Sequence, residues 1–259
     1  MKIFDINTSV GHWPFRKLEN NSIGELRGKL ESHEISGAAV ANVNGLFYMN
    51  CHDANIELHE WLKGYADYFT GIATVNPCYA KWDKDLRDSV QKFKFRGVRL
   101  VPLYHDYTLG SASADEAAVL AASLDIPVFI PYRIIDIRQR HWMDTEKTVG
   151  FEQIYDFCMK HPETKIVYTE SSASADDFKG RGKCPNLFIE ISRMRSSFGQ
   201  QISKLASAIG NDHLLFGSGS PFKEISPALL KLAHADLNRN EKKAIASGNA
   251  LGLFRNECR

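Results

Sequence analysis

Ionisable side chains in this sequence gather at the ends of short apolar runs, where a rigid frame can hold a polar site. Asn7 ends the first run, with His12, Trp13 and Arg16 just beyond it. Arg99 lies inside a later run that leads to Tyr104, His105 and Tyr107. Arg133, Asp136, Arg138 and His141 follow the next, and Glu170 and Glu190 end two more. A histidine or carboxylate held against a water can serve as general base, which makes His105 and Glu170 the candidate bases. Arg133 or Arg99 could stabilise an oxyanion. Several guanidinium groups at one site would suit a carboxylated or otherwise anionic small molecule, because each grips a carboxylate through two parallel hydrogen bonds. The chemistry these types support is general acid–base catalysis with stabilisation of a developing negative charge. His105, Glu170 and Arg133 are the catalytic candidates, and Asn7, His12, Arg99, Tyr107, Asp136, Arg138, His141 and Glu190 the substrate-binding ones. Plainer readings stand beside these. His12 can be a surface residue on a turn held by Pro14. Arg133, Asp136 and Arg138 can form an ion-pair network tying down one loop. His141 beside Trp142 can be a packed edge residue.

The elements that must position these residues alternate. Eight apolar runs (Lys2–Asn7, Gly37–Val43, Phe69–Val75, Gly97–Val101, Ile126–Tyr132, Lys165–Thr169, Leu187–Ile191 and His213–Ser218) read as strands. Their near-continuous apolarity suits parallel strands covered on both faces. Between them lie helical patterns at Ser22–Ser32, Ala54–Tyr65, Asp83–Phe93, Asp115–Ser123, Phe151–Lys160, Ser174–Lys179, Phe198–Ile209 and Ile225–Ala233. Ser22 with Glu25 forms a capping box, and Asp53 and Asp83 are candidate caps. Eight strand–helix units predict an α/β fold, a single-domain (β/α)8 TIM-type barrel over residues 1–259, with a C-terminal helical extension from Asn240. An open doubly wound sheet fits less well, because Asn7-Thr8-Ser9-Val10-Gly11 is not a phosphate-cradling glycine loop. In such barrels the working residues come from the C-terminal strand ends and the loops after them, where the ionisable residues above fall, together with Ser192, Arg193 and Arg195.

At 259 residues the chain matches a barrel, and 44% hydrophobic with 24% charged residues is ordinary globular composition. A net charge of +1 gives no electrostatic case for nucleic acid or an anionic membrane. No apolar run approaches the roughly 20 residues that span a bilayer. The five cysteines form no C-x-x-C pair, which argues for reduced thiols. These features predict a soluble, cytoplasmic protein.

Phe216-Gly217-Ser218-Gly219-Ser220-Pro221 closely resembles the Phe-Gly-Ser-Asp-x-Pro signature of the amidohydrolase-related family of metal-dependent hydrolases and decarboxylases. Asp5-Ile6-Asn7-Thr8-Ser9 is similar to that family's opening Asp-x-His-x-His. Arg96-Gly97-Val98-Arg99-Leu100-Val101-Pro102 resembles its fourth strand, and Gly248-Asn249-Ala250-Leu251-Gly252-Leu253-Phe254 its ending. The resemblance implies five metal-ligand positions, which fall here on Asn7, Ser9, Pro131, Glu170 and Gly219. Zinc needs three or four good donors at about 2.0–2.3 Å, and only Glu170 is one. With that position set altered, the resemblance implies a divergent hydrolase acting on a small, possibly carboxylated ester, lactone or amide, with no metal and no other cofactor. The alternative is a catalytically inactive barrel that binds a small anionic ligand or a protein partner. An unorthodox metal site of Glu170, His105 and Asp136 is a third reading. The resemblance also admits a homodimer.

Overall fold

A computed structural model describes residues 1–182, 184–194 and 200–254; Arg195, Phe198 and Cys258 lie outside the described residues. Eight strands follow one another around a single sheet: β1 (Phe4–Val10), β2 (Gly37–Asn42), β3 (Phe69–Val75), β4 (Val98–Leu100), β5 (Val128–Pro131), β6 (Ile166–Thr169), β7 (Leu187–Glu190) and β8 (Leu214–Leu215). Every neighbouring pair is parallel, because each strand is followed by a crossover that returns the chain to the same end. The ladder of β8 is shorter than the sequence predicts. The segment after it closes the ring instead: Ile6 N donates to Phe216 O, Gly219 N to Asn7 O and Ser9 N to Ser220 O, at 2.9–3.0 Å.

Helices α1 (Ile23–Glu31), α2 (Cys51–Trp61), α3 (Trp82–Gln91), α4 (Pro102–His105), α5 (Ala112–Ser123), α6 (Phe151–Lys160), α7 (Gln200–Ile209) and α8 (Ser226–His234) connect the strands. The C-terminal extension is α9 (Arg239–Lys243), a π turn at Ala244–Gly248 and α10 (Asn249–Leu253). Helix α1 begins with the predicted Ser22–Glu25 capping box. Two cap predictions need correcting. Asn50, not Asp53, caps α2, with Asp53 bonded to the Asn50 amide; α3 starts at Lys81 with no side-chain cap, and Asp83 lies in its first turn. The pattern at Ser174–Lys179 forms only a 3-10 turn, Ala175–Phe178. Among the described residues no helix is long and apolar enough to cross a membrane. The four described cysteines are free thiols.

The apolar side chains divide into three packed regions. The largest lies between the strands and their helices, and includes Leu26, Leu58, Leu86, Phe157 and Ile202. A second fills the barrel with Phe4, Ile6, Ala41, Ile72, Phe129, Val167 and Leu215, and α10 closes its N-terminal end through Ala250 and Leu253. A third covers the opposite, C-terminal end around Trp13, Val101, Ile135 and Phe222. Polar groups enter the barrel at its irregularities. The β1–β2 register slips between Asp5 and Thr8. There Ile6 packs into the interior and its neighbour Asn7 reaches toward β6 and β7, the re-aiming that a bulge permits.

Asp5 fastens this closure. Its Oδ1 accepts from the amides of Asn7 and Ser218, both at 3.0 Å, while Oδ2 has no partner among the described residues. Burial raises its pKa from 3.8 to about 7, and the Glu190 charge adds to the rise. The folded protein thus holds this proton more tightly than the unfolded chain does. The group's stabilising contribution is complete below the unfolded pKa and is lost as pH climbs through about 7. Asp5→Asn keeps an acceptor oxygen and removes the ionisation. It should melt above wild type at about pH 8, by on the order of 3–4 kcal/mol at most, with the gap closing toward about pH 4. Thermal denaturation across that range checks this, and a pH-independent gap would count against the buried proton.

Candidate active site

At the C-terminal ends of β6 and β7 the sheet delivers two buried carboxylates to one place. Asn7 Nδ2 donates to Glu170 Oε1 at 2.9 Å and to Glu190 Oε2 at 3.2 Å. Glu190 is fully buried and is further bonded by the Glu170 amide, the Ser192 amide and the Ser192 hydroxyl. Burial raises the Glu190 pKa, and the neighbouring Glu170 charge raises it further. The other Glu170 oxygen takes two cations: Arg193 through Nε and Nη2, both at 3.3 Å, and the Lys223 ammonium. Lys223 also donates to Ser192 Oγ at 3.1 Å, and Lys231 to the Ser192 carbonyl. Glu170 has φ of +57°, a left-handed conformation that a non-glycine residue holds only where its surroundings impose it.

Gly219 makes room for this cluster. Its φ is +75°, and a Cβ there would collide with Glu170 Oε1. The Phe222 and Lys223 amides both bond back to the Gly219 carbonyl, so the chain turns sharply and lays Lys223 over Glu170. Lys223 and Lys231 were not among the sequence candidates. The available signal was position, since Lys223 follows Pro221 of the eighth strand's Gly-Ser-Pro turn by two residues.

A cavity of about 650 Å³ opens beside the cluster, bordered by loops after β1, β5, β7 and β8 and by the start of α8. A second cleft of about 550 Å³, near Leu187 and His213, lies at the N-terminal ends of β7 and β8, the end that barrels use for stability.

The centre of the mouth is packed shut. Trp13 is 1% exposed and makes edge contacts with Phe222 at 4.9 Å, Phe15 and Phe47 at 5.4 Å, and Tyr104 at 6.3 Å between ring centroids. Because Phe222 also lines the cavity, this plug stands between the cavity and the Tyr104 side, where His105 lies. His105 Nε2 is 3.0 Å from the Gly45 carbonyl and 3.7 Å from Cys51 Sγ, and Nδ1 has no partner. Burial lowers the His105 pKa to about 4 and raises that of Cys51 to about 11, so the pair is a neutral imidazole beside a neutral thiol. Arg99 projects into the barrel and donates to the Asn42 carbonyl at 2.9 Å, Thr74 Oγ1 at 3.3 Å and Ser9 Oγ at 3.4 Å. Among the described residues no carboxylate pairs with it, and burial lowers its pKa to about 10.

The remaining candidates spread around the rim. Arg133 lies over the Tyr132 ring at 4.8 Å and outside the cavity lining. Asp136 and Arg138 form a local ion pair at 2.9 Å that borders the cavity and lowers the Asp136 pKa. His141 stacks on Phe15 at 5.5 Å, Tyr107 is buried with its hydroxyl unpartnered, and His12 is exposed. The structure thus brings Asn7, Glu170 and Glu190 together, places Asp136 and Arg138 nearby, and sets His105 and Arg99 on the far side of the plug.

The donors present do not fit the divalent ion that the resemblance implies. Asn7 spends its amide on two carboxylates, Ser9 Oγ accepts from Arg99, and Pro131 and Gly219 offer no side-chain donor. Glu170 is already neutralised by two cations, which would repel a third. Among the described residues no three His, Cys, Asp or Glu side chains converge as a ligand set.

Comparison with known proteins agrees with the barrel and its motifs. Over its full length the chain is similar to 2,6-dihydroxybenzoate decarboxylase from Rhizobium, at 15% identity and a TM-score of 0.74, with 98% of each chain covered. It is also similar to 5-carboxyvanillate decarboxylase from Sphingomonas paucimobilis, at 13% identity and a TM-score of 0.74, covering 98% of this chain and 99% of that one. A probable 2-pyrone-4,6-dicarboxylic acid hydrolase from Acinetobacter baumannii matches at 14% identity and a TM-score of 0.67, with 98% and 99% covered. At these identities the likeness is one of fold. No curated protein sequence matches the chain. The sequence model of the amidohydrolase family matches residues 26–255, and the chain belongs to that family.

Proposed function

We propose that the chain is a hydrolase of a small anionic ester, lactone or amide that works without the family's divalent metal. The observation that carries this reading is the Glu170–Lys223–Arg193 cluster, buried at the barrel's C-terminal end and bordering a cavity large enough for a metabolite. Under this proposal Lys223 Nζ and the Arg193 guanidinium stabilise the oxyanion formed when water adds to the substrate carbonyl. Glu170 takes the proton from that water and returns it to the leaving alcohol or amine as the adduct collapses and the C–O or C–N bond breaks. Asn7 and Glu190 hold Glu170 in place. The excess of cations around the cavity is the reason for an anionic substrate. The base role stays with Glu170, whereas the oxyanion role passes from Arg133 and Arg99 to the two cations that line the cavity.

A second reading, binding of a small anionic ligand without turnover, is favoured by the Trp13 plug, which closes the central mouth. A panel of carboxylated esters, lactones and amides separates the two. Glu170→Gln and Lys223→Met should each lower kcat by about 100-fold or more, with the melting temperature measured alongside. Ligand binding by wild type with no hydrolysis across the panel would replace the first reading by the second. Metal analysis of the purified protein should find no stoichiometric divalent ion, and a chelator should leave the rate unchanged. A tightly held equivalent of metal would overturn the metal-free part.

A further inference from the structure

The cavity beside Glu170 has more positive charge than the cluster itself consumes. Three cations reach its inner end from three different elements: Arg193 from the loop after β7, Lys223 from the loop after β8 and Lys231 from α8. Glu170 is the carboxylate that Arg193 and Lys223 share. Glu190 lies behind it with both oxygens taken by Asn7, the Glu170 amide and Ser192, and Asp136 is committed to Arg138. Among the described residues no carboxylate lies within ion-pair distance of Lys231, whose ammonium is held only by the Ser192 carbonyl. Burial lowers its pKa, the Lys223 and Arg193 charges add to the fall, and the more distant Glu190 and Glu170 charges oppose it. Positive charge from three elements therefore gathers at one side of an open cavity, and among the described residues Lys231 has no ion-pair partner there. Arg16 adds another positive charge at the rim, where among the described residues its hydrogen bond goes to the neutral Gln139 amide at 3.1 Å, with Glu19 in the same lining.

The geometry points to a subsite for the dianionic phosphate group of a small phosphate monoester. A planar carboxylate is best met edge-on by one guanidinium fork, and it carries a single charge. Here two ammonium groups and one guanidinium border the cavity from three separate elements. That arrangement matches a tetrahedral group with three acceptor oxygens and a charge near −2. The uncapped first turn of α8 borders the same space through Pro227 and Ala228. Loops after the seventh and eighth strands, with a nearby helix start, are where barrels of many kinds hold phosphate. This inference rests on the reading of the cavity as the ligand site, and it names the anionic group that the cavity recognises.

Calorimetric titration of the full chain with inorganic phosphate and with glycerol 2-phosphate, against malonate as the dicarboxylate control, tests it. Both phosphates should bind saturably and more tightly than malonate. Affinity should fall below about pH 6, where phosphate loses its second charge. Lys231→Met should weaken phosphate binding by about 10-fold or more at unchanged melting temperature, and Lys231→Arg should retain it. Arg193→Gln gives the same reading from a second loop if Lys231→Met does not fold. Malonate binding as tightly as phosphate, no saturable phosphate binding, or indifference to both substitutions would each overturn the inference. Hydrolysis of a carboxylated ester without phosphate binding would end it and leave the hydrolase reading standing. Phosphate binding without turnover would do the reverse.

Discussion

A carboxylate buried at the end of β6 must have its charge answered, and the organisation of this barrel's mouth follows from how Glu170 is answered. Water is largely excluded, since the side chain is 5% exposed, so removing a partner would leave a charge whose desolvation costs several kcal/mol. Three elements therefore converge on it: the bulged part of β1 with Asn7, the loop after β7 with Arg193 and the turn after β8 with Lys223. The same contacts dictate smaller features. Gly219 has no side chain because Glu170 fills that space. Glu170 itself adopts a left-handed backbone because its amide must reach Glu190 while its carboxylate faces the cations.

The rest of the mouth is built to a different rule. Around Trp13 the side chains pack as a hydrophobic region in its own right, with aromatic edges against faces, so the mouth is divided into an apolar plug and a cationic cavity. Arg99 and His105 lie on the plug's other side, one sharing its hydrogen bonds among neutral oxygens and the other kept uncharged by burial. They serve the wall of the barrel, and the polarity that marked them in the sequence goes to internal hydrogen bonds.

The sequence carries the barrel clearly, because a parallel strand's apolar run and a strand-end motif are local properties. Arg99 is a case where local pattern suffices: Val98 and Leu100 face the helices, so the residue between them must face the interior. His105 is the opposite case. It follows a strand end, as a mouth residue should, but the helical turn beginning at Pro102 carries it toward Gly45 and Cys51 instead of the opening. The position of Lys223 in the sequence places it near the mouth but not beside Glu170, for a related reason. Its approach to Glu170 depends on the sharp turn at Gly219, and a comparison of ligand positions one by one does not ask whether the opposite charge has arrived from elsewhere in the chain. Trp13 could be read as a mouth residue but not as its plug, since that role needs Phe222, Phe47 and Tyr104 from three other segments.

The turn at Gly219 also changes what kind of charge the site possesses. A bound ion is exchangeable, is shared with every other protein that competes for it, and presents whatever valence the supply provides. Lys223 is covalently tethered, so its local concentration is fixed by the backbone and is the same in every copy of the protein. One glycine, by letting the chain double back, sets this encoded charge beside Glu170.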